Sequence, residues 1–513
     1  MAESNGDMGK GSARRAASPR RPNVVFILTD DQNFDTLGCY GARVMTPHQD
    51  RLAAEGVRFN RAYVTTAACM PSRYGCLTGH YPSRCRHPRF TGAFPPGTQT
   101  SVGFNTPLSA DLASLPHLLR QAGYTTGMVG KWHLGETGME GVGFDRSFPA
   151  DTDPRDPDFS RMLARHQELC AEQVRARGFD TASRIYWNNP ASYGVKALDS
   201  HNMEWVTEGA LDFIETSKDN PFFLLMAPTL HHVPHPQASL RADPRVCVGG
   251  YLDRVPDVMP PRREILPRVK AAGFSPAVAY CTYLDDGVGA VLDRLDALGL
   301  AEDTVVLLLS DNNVPDKLTL YEGGIHVPML IRWPRGIAPA QVRDDLVLNL
   351  DIAPTLLDVC GIRPPEEMRL DGASLLPMLQ GSGSPPHDAL FFESGSTRAM
   401  CTRDDKYLAL RYPAPPKTRE DRFHGVLLGL QINARLHHPA YFEEDQLYDL
   451  HDDPEETTNL VLEDPDRLRA MRKRLRDWLA SFGEHPFGEV YLPHGTAGGD
   501  GEQQGRREAG GER

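Results

Sequence analysis

Four short apolar runs, each followed by a polar, reactive group, constrain this chain more than any other feature. Val24–Leu28 runs into Thr29-Asp30-Asp31, and Val305–Leu309 into Ser310-Asp311-Asn312. Thr125–Val129 runs into Gly130-Lys131-Trp132-His133, and Phe222–Met226 leads through a short turn to His231-His232-Val233-Pro234. A continuous rather than alternating run suits a strand covered on both faces, as in a parallel sheet. Met329–Ile331 is a fifth run of this kind. Helical stripes lie between the runs. Leu112, Leu115, Leu118 and Leu119 share one face and stop at Gly123; a longer stripe from Tyr280 through Leu284, Val288 and Leu295 to Leu298 stops at Gly299. Alternating βα units imply an α/β fold with a doubly wound, mostly parallel sheet flanked by helices. In such sheets the ligand crevice lies beyond the carboxyl ends of the strands. If the four strands are neighbours, their polar ends meet in one crevice.

The pattern changes along the chain. Residues 1–21 and 494–513 are polar and rich in Gly, Arg, Glu or Ser, and read as disordered tails. Residues 22–385 read as one large domain. From 386 to 493 the pattern becomes short strands (Phe391–Glu393, Lys406–Arg411, Gln446–Leu450) and a final helix over 465–481, a smaller C-terminal α+β domain. The stretches 138–200 and 236–272 lack clear periodicity and read as loops or peripheral decoration.

Composition bounds the function. A net charge of −13 argues against a nucleic-acid binder, which needs a basic face for phosphates. It leaves room for an anionic substrate, because a local basic cluster can oppose the overall sign. The longest apolar runs fall far short of the roughly 20 residues of a transmembrane helix. Nine cysteines without regular spacing do not form a disulfide framework, and the first 21 residues hold no apolar signal core. A reducing, cytoplasmic setting is the expectation, with export left open.

Asp30, Asp31, Asp311 and Asn312 would together make an oxygen-only cluster suited to a hard cation, Ca²⁺ or Mg²⁺. Taken singly, each pair is an ordinary turn or helix cap; two pairs, each directly after a buried-type strand, point to a site. Lys131, His133, His232 and Lys317 add cationic or switchable groups. His231 and His235 compete with His232, which is preferred because it opens a His-x-Pro step whose proline restricts the backbone.

The strongest local signal is Cys69-Met70-Pro71-Ser72-Arg73-Tyr74-Gly75-Cys76-Leu77-Thr78-Gly79. Pro71 fits the first turn of a helix and Gly79 its end. Cys69 then sits at the helix N-terminus, where unpaired N–H groups favour anions. Arg73, one turn on, can reach back to the same place. The competing reading is a helix cap with a buried cysteine.

Cys-x-Pro-Ser-Arg followed by Leu-Thr-Gly resembles the signature of type I, formylglycine-dependent sulfatases of the alkaline phosphatase superfamily. The resemblance extends to Pro22-Asn23-Val24 through Asp30-Asp31, to Gly130-Lys131-Trp132-His133-Leu134-Gly135 and to Ser310-Asp311-Asn312. Lys317 with Thr319-Leu320-Tyr321-Glu322-Gly323-Gly324, Asp351–Leu357, Asp371-Gly372 and Leu447-Tyr448-Asp449-Leu450 continue it in order; the insert at 313–316 is short.

The resemblance implies an alkaline-phosphatase-like fold and hydrolysis of a sulfate monoester to an alcohol and inorganic sulfate. It implies conversion of Cys69 to 3-oxoalanine (formylglycine) by a maturation enzyme. It also implies a Ca²⁺ ion, or Mg²⁺, held by Asp30, Asp31, residue 69, Asp311 and Asn312. Asp311 is then also placed to draw a proton from the hydrated aldehyde. His232, assisted by Lys317, protonates the leaving alcohol, His133 takes a proton from the diol, and Arg73 and Lys131 hold residue 69 and the developing charge. A sulfated saccharide is the preferred substrate, lined by 84–105, 138–200, 236–272 and 420–445. Arg86, His87, Arg89, His235, His437 and His438 are possible leaving-group contacts. A phosphonate or phosphate ester hydrolase of the same superfamily is the nearest rival reading, and a non-catalytic binder of sulfated ligands a rival of another class.

Overall fold

The structure, a computed structural model, describes residues 21–95, 100–135, 139–144, 147–366, 368–410 and 432–481. Apart from Arg21, the expected tails at 1–21 and 494–513 lie outside the described residues.

Eight strands build the central sheet: β1 (Asn23–Thr29), β2 (Val57–Phe59), β3 (Thr125–Lys131), β4 (Thr181–Tyr186), β5 (Phe222–Ala227), β6 (Thr304–Ser310), β7 (Met329–Arg332) and β8 (Gln341–Arg343). Their spatial order is β8-β2-β7-β6-β1-β5-β3-β4. Every pairing is parallel except the two made by β7, with β6 and with β2. β1, β5 and β6 are buried along their whole length, which is why their sequences are continuously apolar. In register, Val24 lies between Phe223 of β5 and Val305 of β6.

Helices cover the sheet: α1 (Cys69–Thr78), α2 (Leu115–Gln121), α3 (Pro157–Arg175), α4 (Met203–Ser217), α5 (Arg262–Ala271) and α6 (Ala279–Ala297). The expected helix around Leu112–Leu119 begins only at Leu115, because Pro116 fits a first turn but not an interior one.

The two stretches read as loops or peripheral decoration contain regular elements. Residues 138–200 contain the 19-residue α3 and the edge strand β4. Asp156 caps α3 by accepting from the Asp158 and Phe159 N–H groups, and Phe159, Leu163, His166, Cys170 and Val174 bury one stripe. That stripe is interrupted by polar His166, and β4 is half exposed as an edge, so neither shows a long apolar run. Within 236–272, Arg262–Ala271 is also helical.

A second sheet is an antiparallel meander of β9 (Leu390–Ser394), β10 (Thr397–Cys401), β11 (Asp405–Ala409) and β12 (Asp445–Asp449). The final helix α7 (Pro465–Ser481) packs Leu468, Met471 and Leu475 against Met400, Tyr407 and Leu447 of this sheet. Strand β10 is absent from the sequence expectation because Arg398 interrupts its apolar residues, although Arg398 is buried.

Candidate active site

The strands carrying the four polar ends, β6, β1, β5 and β3, are consecutive in the sheet. Their carboxyl ends therefore open onto one place. Gly130 shapes the end of β3: its φ is +94°, and a Cβ there would lie 2.0 Å from the Ala227 carbonyl oxygen. The register between β3 and β4 also shifts at Val129/Gly130, where β4 carries the extra residue, Arg184, at φ +54°.

Helix α1 is buried at every position except Met70 and ends on Gly79 at φ +68°. Asn349 fastens it, its Nδ2 donating to Ser72 O at 3.0 Å. Gly75 permits that approach, since a Cβ would meet Leu350 at 2.8 Å. The helix holds Cys69 at its N-terminus and Arg73 one turn on, both about 1% exposed.

Around Cys69 the distant motifs meet. Its Sγ lies 3.4 Å from Asp30 Oδ1, 3.5 Å from Asn312 Oδ1 and 3.5 Å from Lys317 Nζ. Lys131 Nζ pairs with Asp30 Oδ2 at 2.7 Å, Lys317 Nζ with Asp31 Oδ1 at 2.6 Å and Arg73 Nε with Asp311 Oδ2 at 2.8 Å. Arg73 Nη1 also donates to Lys131 O at 2.9 Å, while its Nη2 is buried with no partner among the described residues. His232 Nε2 stands 3.6 Å from Asp31 Oδ2. Donor atoms of Asp30, Asp31, Cys69 and His232 all lie within 4.8 Å of one another. Asp311 adjoins this group through Arg73 and by accepting the Asp31 N–H at 3.3 Å. Asp31 and His133 have φ of +58° and +54°, a left-handed conformation costly for residues with a Cβ and concentrated at functional sites.

Burial makes these charges interact strongly. Burial acts to raise the Asp30 pKa, but Lys131, His232, Arg73 and Lys317 outweigh it and hold that carboxyl well below its usual range. Asp311 moves the other way, to about 6, through burial and the neighbouring Asp30 charge, against Arg73 and Lys131. The Cys69 thiol is pushed far up by burial and then by Asp311. His133 is held well below its usual range by burial and then by Lys131 and Arg73.

A family model described as Sulfatase matches residues 22–362. The chain belongs to the sulfatase family. It is a sulfuric ester hydrolase, and the family implies a divalent metal and a formylglycine. The N-acetylgalactosamine-6-sulfatase of Rattus norvegicus is 33% identical over 393 residues, covering 71% of this sulfatase and 67% of the rat protein. Arylsulfatase A of Homo sapiens is 30% identical over 489 residues, covering 87% and 84%. The N-acetylgalactosamine-6-O-sulfatase of Bacteroides thetaiotaomicron is 26% identical over 532 residues, covering 89% and 93%. A solved Bacteroides thetaiotaomicron 6S-sulfatase shares the fold, with TM-score 0.61 and 22% identity, covering 90% of this chain and 99% of that one. A solved structure in complex with its substrate, D-glucosamine-2-N,6-O-disulfate, superposes with TM-score 0.57 at 20% identity, covering 91% and 99%.

The residues of the sulfatase fit a divalent cation. Three carboxylates and the Asn312 amide oxygen meet at the strand ends, and oxygen donors of this kind suit a hard ion. The unpartnered Arg73 Nη2 faces no acceptor of its own, as expected beside an anion-binding position.

The three competing histidines separate clearly. His232 faces Asp31, whereas the His231 ring packs edge-on against Tyr280 with centroids 5.0 Å apart. Burial holds His231 down at about 3. His235 is exposed and caps the short helix Pro236–Ser239. His87 likewise caps Pro88–Ala93. His438, expected as a leaving-group contact, is instead buried against Tyr321 and Asp316.

Two neighbours of the site lie within the expected lining segments 84–105 and 138–200 but were not singled out there. Asn189 Nδ2 reaches His232 Nε2 at 3.0 Å from the segment following β4, and Phe104 stacks on His133 with centroids 5.6 Å apart. The signal for Asn189 was the apolar Ile185-Tyr186-Trp187 run before it; Phe104 has no comparable flag.

Proposed function

We propose that this sulfatase hydrolyses a carbohydrate sulfate through a formylglycine made from Cys69 and with a Ca²⁺ ion. One observation carries the reading: the Cys69 sulfur, at a helix N-terminus, lies within 3.5 Å of Asp30, Asn312 and Lys317, which come from two other, widely separated parts of the chain. The names of the N-acetylgalactosamine-6-sulfatase relatives support the saccharide substrate.

Asp30, Asp31, Asp311 and Asn312, with residue 69, would hold the cation. Bound there, it supplies positive charge that draws in and polarises the anionic ester. The side chains alone are near balance, with carboxylates of Asp30, Asp31 and Asp311 set against Arg73, Lys131 and Lys317. A dication therefore leaves a net positive field for a sulfate ester, strong because the site is buried. Arg73 and Lys131 hold residue 69 and the sulfate oxygens. His232, assisted by Lys317, gives a proton to the leaving oxygen, and His133 takes one from the nucleophilic side chain.

The test is direct. Enzyme matured with a formylglycine-generating partner should show a mass loss of about 18 Da at residue 69, as thiol becomes aldehyde. It should release sulfate from sulfated sugars, lose activity to a chelator and regain it with Ca²⁺ better than with Mg²⁺. An unmodified Cys69 in active enzyme, or faster turnover of matched phosphate esters, would overturn the proposal.

A further inference from the structure

We propose that His438 is a positioning residue for Lys317, holding from the side of the second sheet the short loop that carries the lysine into the site. The proposal rests on the role given to Lys317 above.

Lys317 sits five residues beyond Asn312, on a connection folded tightly on itself. Asp316 N donates to Gly323 O at 3.1 Å, and Thr319 N to Asp316 O at 3.1 Å. The loop closes so tightly on Gly323 that a Cβ there would lie 2.2 Å from Asp316 Oδ2. On its inner side the lysine reaches Asp31 and Cys69.

His438 grips the outer side. Its Nε2 lies 3.1 Å from Asp316 Oδ2, and its Nδ1 3.1 Å from the Glu456 carbonyl. Both partners are acceptors, so the imidazolium satisfies both at once. Burial opposes the charged ring, but Asp316 and Glu456 outweigh it. The ring also stacks face to face on Tyr321 with centroids 3.6 Å apart.

A second tie lies one residue on. Lys406, fully buried on β11, joins Glu322 Oε1 and Glu456 Oε1, each at 2.9 Å. The loop is thus held on both sides of Lys317, before it at Asp316 and after it at Tyr321 and Glu322. None of these ties touches the reacting groups. They act through where the lysine stands, and a misplacement of about 1 Å can cost roughly 100-fold in rate.

The experiment is a double-mutant cycle on the mature enzyme with an unactivated sugar sulfate, whose leaving alcohol needs a proton, comparing wild type, His438→Ala, Lys317→Ala and the double variant. We expect His438→Ala to lower kcat roughly 10- to 100-fold with a smaller change in KM. In the Lys317→Ala background it should have no further effect, and His438→Gln, which keeps a donor for Asp316, should recover part of the loss. An unchanged kcat in His438→Ala, or the same loss in both backgrounds, overturns the positioning role. If His438→Ala does not fold, Asp316→Asn replaces it in the same cycle under the same criteria. Full activity in Lys317→Ala would instead overturn the role of Lys317 itself, which separates the two failures.

Discussion

Arg73 Nε lies 2.8 Å from Asp311 Oδ2, a fully buried pair that joins residues 238 positions apart. It locks the helix bearing Cys69 to the end of β6. Removing the guanidinium leaves a buried carboxylate without its counter-ion. Arg73→Ala should therefore lose about 3–5 kcal/mol of stability, read by denaturant unfolding, as well as activity. Arg73→Lys keeps the charge but not the fork that also reaches Lys131 O, and should fall between the two.

Gly130→Ala tests the end of β3. Its φ of +94° disfavours any Cβ, and the added atom would strike the Ala227 carbonyl. The strand must move, and Lys131 and His133 with it. We expect a loss of about 2–3 kcal/mol by thermal unfolding, together with a kcat loss larger than that of an alanine placed at exposed Gly41.

Cys69→Ser keeps one oxygen where the proposed nucleophile has two. It should bind substrate yet lower steady-state turnover roughly a thousandfold or more. Multiple turnovers at near wild-type rate would exclude the formylglycine scheme.

His387 offers a pH test away from the site. Its Nε2 lies 2.8 Å from Asp351 Oδ1, which also accepts the Ala373 N–H. Burial opposes protonation, but Asp351, with a smaller contribution from Asp388, raises the pKa above the ordinary value. A raised folded pKa means the stabilisation is fully present below the unfolded value of about 6.5 and is lost as pH rises through the higher folded value. Unfolding free energies measured across that window should decline for wild type more than for His387→Gln.

Much of the fold was legible because β1, β5 and β6 are covered on both faces, and full burial writes itself as an unbroken apolar run. The edge strand β4 and the helix α3 were not, since a half-exposed strand and a stripe carrying His166 blend into polar sequence. The same cause hid Asn189, which depends on β4 for its place beside His232. His438 was misassigned because a histidine looks alike on a surface and under a tyrosine; only packing distinguishes the two.

The sequence by itself determined the chemistry on offer: acidic pairs after two apolar strands, a Cys-x-Pro-Ser-Arg helix start and a set of lysines and histidines. These follow from local patterns that a linear chain records. The tertiary structure alone decided which of them meet. The order β6-β1-β5-β3 puts remote strand ends side by side, and the packing of the second sheet selects what holds Lys317. Both depend on contacts between residues remote from one another in the chain, whose free energies leave no mark on the neighbouring sequence.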